Sequence, residues 1–192
     1  MRKLQANQPT VIGLDLYRNL PVEPGQRELV TQLQQPNIIG IQSLDVLTGT
    51  AAPPSIPEER IGFNDIPVDP DEVVRRNLLF AGNDQGTLFS FSLRLALAYL
   101  EEQEIYPQDS ERHPGHLQLG QAVFLPLKQN SGGYQTIDAN GYQILLNYRS
   151  ADNVARQVTL EEAAKVKGMS HQELADRTTK NAMACFGLKH FS

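Results

Sequence analysis

Two short apolar runs separated by one amphipathic segment constrain this chain more than anything else in it. Residues 11–16 (Val-Ile-Gly-Leu-Asp-Leu) and 37–41 (Asn-Ile-Ile-Gly-Ile) are rich in β-branched and apolar side chains, the pattern of buried strands. Between them Pro24 and Gly25 precede residues 26–35, where Leu29, Val30 and Leu33 fall on one helical face. Strand, helix and strand joined by short links make a βαβ unit, whose strands are expected to be parallel. This selects an α/β fold, a single domain with a mixed β-sheet flanked by helices on both faces. A chain of 192 residues with 40% hydrophobic content can bury such a core.

The rest of the chain supplies further elements. Residues 46–60 contain Gly49, Pro53, Pro54 and Pro57 and are read as a surface loop. Residues 61–68 and 73–80 flank Asp69-Pro70-Asp71-Glu72, a turn-forming set, so a β-hairpin is expected there. That set lacks the glycine and distal glutamate of a calcium loop and is read as a solvated turn. Residues 82–86 form another turn, after which Thr87 is expected to cap a deeply buried helix from Leu88 to about Gln103. Residues 106–120 read as a polar excursion. Residues 122–127 and 142–148 read as strands, with a short one at 134–137 between two turns. Thr159 with Glu162, and Ser170 with Glu173, have capping-box spacing and predict two short helices separated by Gly168. Residues 170–192 are expected to be helical at first, then loosely packed, and not to supply a central strand.

Charge narrows the function. The net charge of −5 argues against a general nucleic-acid binder, which needs a basic face. Residues 1–155 hold 11 basic and 18 acidic side chains, whereas residues 156–192 hold 6 and 4. The single cysteine, Cys185, excludes an intramolecular disulfide and a cysteine-based zinc cage. No apolar leader follows Met1, and the longest apolar stretch, 88–100, is interrupted by Ser90, Ser92 and Arg94. The chain therefore reads as soluble: cytosolic, or cut from a larger protein. Phosphate loops, nucleophile elbows and zinc-helix motifs are not found. Cys185 with His190 is a chance pairing, and His113 and His116 sit three apart beside Pro114 and Gly115 with no third ligand in view. No catalytic residue, metal or cofactor is assigned.

Five segments in order carry a resemblance. They are Val11-Ile12-Gly13-Leu14-Asp15; the strand, acidic turn and paired arginines of 62–76; the Ser-Phe-rich segment 88–100; Ile144-Leu145-Leu146-Asn147-Tyr148-Arg149; and Val158-Thr159-Leu160. Together they resemble the second type of CHASE domain, with residues 16–25 similar to cyanobacterial members. The resemblance implies a sensory domain over residues 1–160 followed by a divergent helical tail, 161–192. It implies an extracytoplasmic, ligand-sensing part of a transmembrane protein with a nucleotide cyclase or protein kinase output. It also implies a small-molecule or environmental stimulus, no catalysis by the domain itself, and a homodimer formed through the parent receptor. Contact with a membrane would come only through flanking helices. Where the family's turn has glycine, Glu72 stands here, so the turn must avoid positive φ or accept strain.

The candidate ligand-binding residues are Asp15, Asn64, Arg75, Arg76, Asn147, Tyr148 and Arg149. Asp15 ends a buried strand, where a carboxylate either faces a ligand or caps a turn. Arg75 and Arg76 alternate across a strand, so one must point inward. That one either pairs with Asp15, Asp65 or Asp69 or binds an anion. Asn147, Tyr148 and Arg149 either line a cleft or tie down backbone at a sheet edge. Any ligand pocket is expected beside Asp15 and residues 147–149, away from the acidic turn. The rival readings are a stand-alone α/β enzyme or nucleotide binder using Asp15, and a dimerisation module without a ligand.

Overall fold

The computed structural model describes residues 1–21, 23–45, 48–83, 86–148 and 157–158. The chain packs as two compact units, one of Met1–Thr10 with Asn147–Ser192, the other of Val11–Leu146. In the smaller unit the described residues include one short helix, α1 (Arg2–Gln5). The two helices expected around Gly168 and the expected tail structure lie outside the described residues.

The larger unit begins with the expected βαβ arrangement. Strand β1 (Ile12–Gly13) is shorter than the apolar run suggests, and helix α2 (Gln26–Leu33) follows it. Strand β2 (Ile38–Gln42) runs parallel to β1, with Ile12 opposite Ile38. Residues 38–41 are all buried, as befits the central strand of a parallel set covered on both faces. A loop then carries buried Pro53 and Ile56 to a 3-10 turn at Glu58–Arg60. Strand β3 (Ile61–Phe63) returns parallel to β2, so all three strands end at one edge.

The chain next forms an antiparallel sheet. Strand β4 (Arg76–Asn83) pairs with β5 (Gly86–Phe89) on one side and β9 (Tyr142–Leu145) on the other. A parallel bridge between Phe63 and Ser90 sets β3 beside the end of β5, so that the parallel and antiparallel sheets of this mixed α/β fold meet there. Helix α3 (Phe91–Glu101) starts at Ser90, whose hydroxyl accepts from the Leu93 N–H at 3.2 Å. Leu93, Ala96 and Leu100 are its buried face, packed over β1, β2, β3 and β4. A third sheet, also antiparallel, consists of β6 (Pro107–Asp109), β7 (Leu117–Leu119) and β8 (Ala122–Val123). The Tyr142 hydroxyl joins it to β9, donating to the Phe124 carbonyl and accepting from the Leu117 N–H, both at 2.7 Å.

Four expectations are corrected. Residues 61–68 and 73–80 do not pair as a hairpin, because β3 joins the parallel strands while β4 turns back on β5. The helix begins at Phe91, not Leu88, because residues 87–89 are held in β5. Residues 106–120, read as a polar excursion, contain β6 and β7. Residues 134–137 form a bend instead of a strand.

Two glycines let α3 sit close. A Cβ on Gly13 would lie 2.7 Å from the Phe91 ring. One on Gly62 would lie 2.5 Å from the Phe91 Cα and 2.6 Å from its N, and backbone cannot swing aside. Gly62→Ala is therefore expected to cost about 3 kcal/mol in chemical denaturation. Gly82→Ala, which meets nothing within 4 Å, should stay within about 0.5 kcal/mol of the parent. Equal effects at the two positions would show that the helix does not rest on Gly62.

Candidate functional site at the carboxyl edge of the parallel strands

Because β1, β2 and β3 are parallel, the residues that follow them emerge together, the position where open α/β sheets present ligands. Asp15 follows β1, Ser43 follows β2, and Asn64 and Asp65 follow β3. Asn64 is the hub. Its amide Nδ2 donates to Asp15 Oδ1 at 3.1 Å, and its Oδ1 accepts from the Tyr17 hydroxyl at 2.8 Å. The same hydroxyl lies 3.3 Å from Ser43 Oγ, which accepts from the Thr50 N–H at 2.8 Å. Asp65 Oδ2 accepts from the Leu44 N–H at 2.6 Å, fastening the loop after β2 to the loop after β3. Asp15, Tyr17 and Asp65 are exposed, and the exposed apolar side chains Leu16, Leu20 and Ile66 adjoin them in sequence.

The paired arginines do different work. Arg76 is 5% exposed and Asp69 is 4% exposed, so Asp69 is not part of a solvated turn, contrary to the sequence reading. Arg76 Nε donates to Asp69 Oδ1 at 2.7 Å, and its Nη1 donates to Gln143 Oε1 at 2.7 Å and to the Asp138 carbonyl at 2.9 Å. The second oxygen of Asp69 accepts from the Tyr134 hydroxyl at 2.7 Å and from Arg75 at 3.1 Å. Half-exposed Arg75 also forms a bidentate pair with Asp71, at 2.7 and 2.8 Å. Burial pushes the Asp69 carboxyl up, but the hydrogen bonds from Tyr134, Arg76 and Arg75 outweigh it and hold the group below its ordinary value of 3.8. The hydrogen bond from Arg75 likewise lowers Asp71. Burial and the neighbouring Asp69 raise Tyr134. One arginine is thus buried and ion-paired, as strand alternation requires, and both are occupied by carboxylates. Glu72 accepts the positive φ of 62° at the turn.

The structure therefore joins Asp15 with Asn64 and places Arg75 and Arg76 in a separate ion-pair network. Asn147 and Tyr148 are exposed and belong to the other unit, beyond the end of β9 at Leu145, and Arg149 lies outside the described residues. Tyr17, Ser43 and Asp65 were not picked out for this edge. The available signal was their position just after apolar runs. A shallow cleft lined by Leu127, Lys128, Gln129, Asn130, Ser131, Ala139 and Asn140 holds none of the expected residues. Among the described residues no group of three or more His, Cys, Asp or Glu is placed to hold a metal. No helix among them is long and apolar enough to cross a membrane.

The charge network makes a measurable demand. Arg76→Ala strands a buried carboxylate and is expected to lower Tm by about 5 °C or more, with Arg75→Ala costing less than half of that. Because Asp69 and Asp71 titrate lower when folded than unfolded, their contribution is complete above the unfolded value near 3.8 and is lost as pH falls below it. Tm should therefore fall more steeply on acidification below about pH 4 in the parent than in Asp69→Asn. Parallel profiles would remove Asp69 from the acid response.

A family model described as CHASE2 domain matches residues 1–181. No curated protein and no solved structure matches the chain. The match spans all five segments that carry the resemblance. The chain belongs to the CHASE2 domain family, an extracellular sensory domain family associated with signalling proteins.

Proposed function

We propose that this chain is the ligand-sensing, non-catalytic ectodomain of a transmembrane signalling protein whose output is a nucleotide cyclase or a protein kinase. One observation carries the reading: three parallel strands deliver Asp15, Ser43 and Asn64 to one exposed edge, where Tyr17 and Asn64 tie them into a single hydrogen-bonded surface. Family membership supports the sensory role. The charged side chains nearest the ends of β1 and β3, Asp15 and Asp65, are carboxylates. The stimulus is therefore a small molecule rich in donors, an amine or a polyol, with apolar parts that lie against Leu16, Leu20 or Ile66. Binding biases a two-state element by its differential affinity for the two states. The further partner is a second copy of the parent receptor.

The test is a screen of amines, amino acids and sugars by NMR chemical shift. A binder is expected to move the resonances of Asp15, Tyr17 and Asn64. Asp15→Ala should weaken it by roughly tenfold to a hundredfold, the loss of a charge-assisted hydrogen bond. Shifts confined to residues 69–72 would count against the edge. The enzyme reading needs turnover of esters, phosphate esters or nucleotides, and a rate that disappears in Asp15→Ala would replace the sensory proposal.

A further inference from the structure

We propose that His113 and His116 form a binding site for a divalent transition metal that favours imidazole, Cu(II), Ni(II) or Zn(II), with Ser110 holding a metal-bound water. The site begins with a turn. The His116 N–H donates to the His113 carbonyl at 3.0 Å, with Pro114 and Gly115 between them and Gly115 at φ +83°. Proline in the second position and a positive φ in the third mark a type II turn. The Gly115 N–H donates to Asp109 Oδ1 at 2.7 Å and pins the turn to the end of β6. This turn sets the two histidines side by side, with ring centroids 5.6 Å apart. Metal–nitrogen bonds of about 2.0–2.1 Å put an ion about 3 Å from each ring centre. Two imidazoles on one ion then stand roughly 5–6 Å apart, which matches the observed spacing.

Two orphaned polar atoms lie in the same hairpin. Nδ1 of His116 is buried with no hydrogen-bond partner, and so is Oγ of Ser110, a residue only 1% exposed. Buried polar atoms left unpaired are costly, on the order of 1–3 kcal/mol each, and call for an absent partner. The ladder of β6 with β7 pairs Asp109 with Leu117, and the next bond runs from the Ser110 N–H to the His116 carbonyl at 2.9 Å. Ser110 and His116 are thus opposite each other, and their side chains leave the same face. An ion on His116 satisfies its Nδ1, and a water on that ion satisfies the Ser110 hydroxyl. His113 is exposed and gives access from solvent. With no third carboxylate, thiolate or imidazole grouped with them among the described residues, water completes the coordination and leaves the metal exchangeable.

The experiment uses the full chain, stripped with chelator and titrated with Cu(II), Ni(II) and Zn(II) by calorimetry and by Tm. One saturable site is expected, tightest for Cu(II), with a metal-dependent rise in Tm that chelator reverses. His113→Ala changes an exposed residue, should leave the metal-free Tm unchanged, and should weaken binding by about a hundredfold or more. Ser110→Ala should weaken it by roughly tenfold. Absence of saturable binding in the parent, or His113→Ala within about threefold of the parent, overturns the proposal.

Discussion

The buried carboxylate of Asp69 is the fixed point on which the arrangement around the candidate site depends. It takes Arg76 on one oxygen and Arg75 with Tyr134 on the other. Arg76 in turn reaches Gln143 and the Asp138 carbonyl, and Gln143 donates to the carbonyls of Asp138 and Asn140. A charge removed from water is tolerated only when its hydrogen-bonding capacity is filled, and here the partners come from several separate segments. The acidic turn, the start of β4, the 134–140 loop and β9 must assemble together for the pair to be compensated. The loop that carries Asn64 and Asp65 is thereby tied at both ends, by the β2–β3 ladder and by Asp69.

The second constraint is the close seat of α3. Phe91 meets Gly13 in β1 and Gly62 in β3, so the helix start bears on two of the three strands whose ends make the candidate edge. Ser90 serves twice there, as the helix cap and as the residue bridged to Phe63. A displacement of α3 therefore cannot leave β1 and β3 untouched. The exposed edge at Asp15 and Asn64 rests on a packed layer that admits little adjustment.

Much of this was legible in the sequence, for physical reasons. The βαβ unit was, because apolar continuity over residues 37–41 and the face of Leu29, Val30 and Leu33 are local patterns. The inward arginine was, because strand alternation is a geometric necessity. The hairpin was not. Pro67 and Pro70 remove donors from the segment after β3, and only the turn itself is closed by backbone bonds, from the Asp69 N–H to the Val73 carbonyl and from the Glu72 N–H to the Asp69 carbonyl. The stronger local pairing of β4 is with β5 across its own short turn. The helix start was misplaced because Leu88 and Phe89 suit a strand or a helix equally, and only the Ser90 cap decides. Strands β6 and β7 were hidden because Pro107–Asp109 is exposed along its length and is held by pairing, not burial. At the edge, Asp15 and Asn64 could be named from their strands. Tyr17 and Ser43 could not, because their contacts join residues 26 and 47 positions apart.

These two kinds of contact divide the larger unit by how readily each can change. The links among Tyr17, Ser43, Asn64 and Asp15 are exposed, and each contributes about 0.5–1.5 kcal/mol net, so a ligand group that supplies the same hydrogen bond can replace them. The Asp69 and Arg76 contacts are buried, and breaking them leaves an uncompensated charge that no exposed ligand can reach. In the proposed sensing role, a stimulus at the carboxyl edge would rearrange Tyr17 and Asn64 while the base of the same loop stays fixed at Asp69. Adaptable polar contacts above a rigid charged anchor let a small molecule change local geometry without unfolding the sheet that positions it.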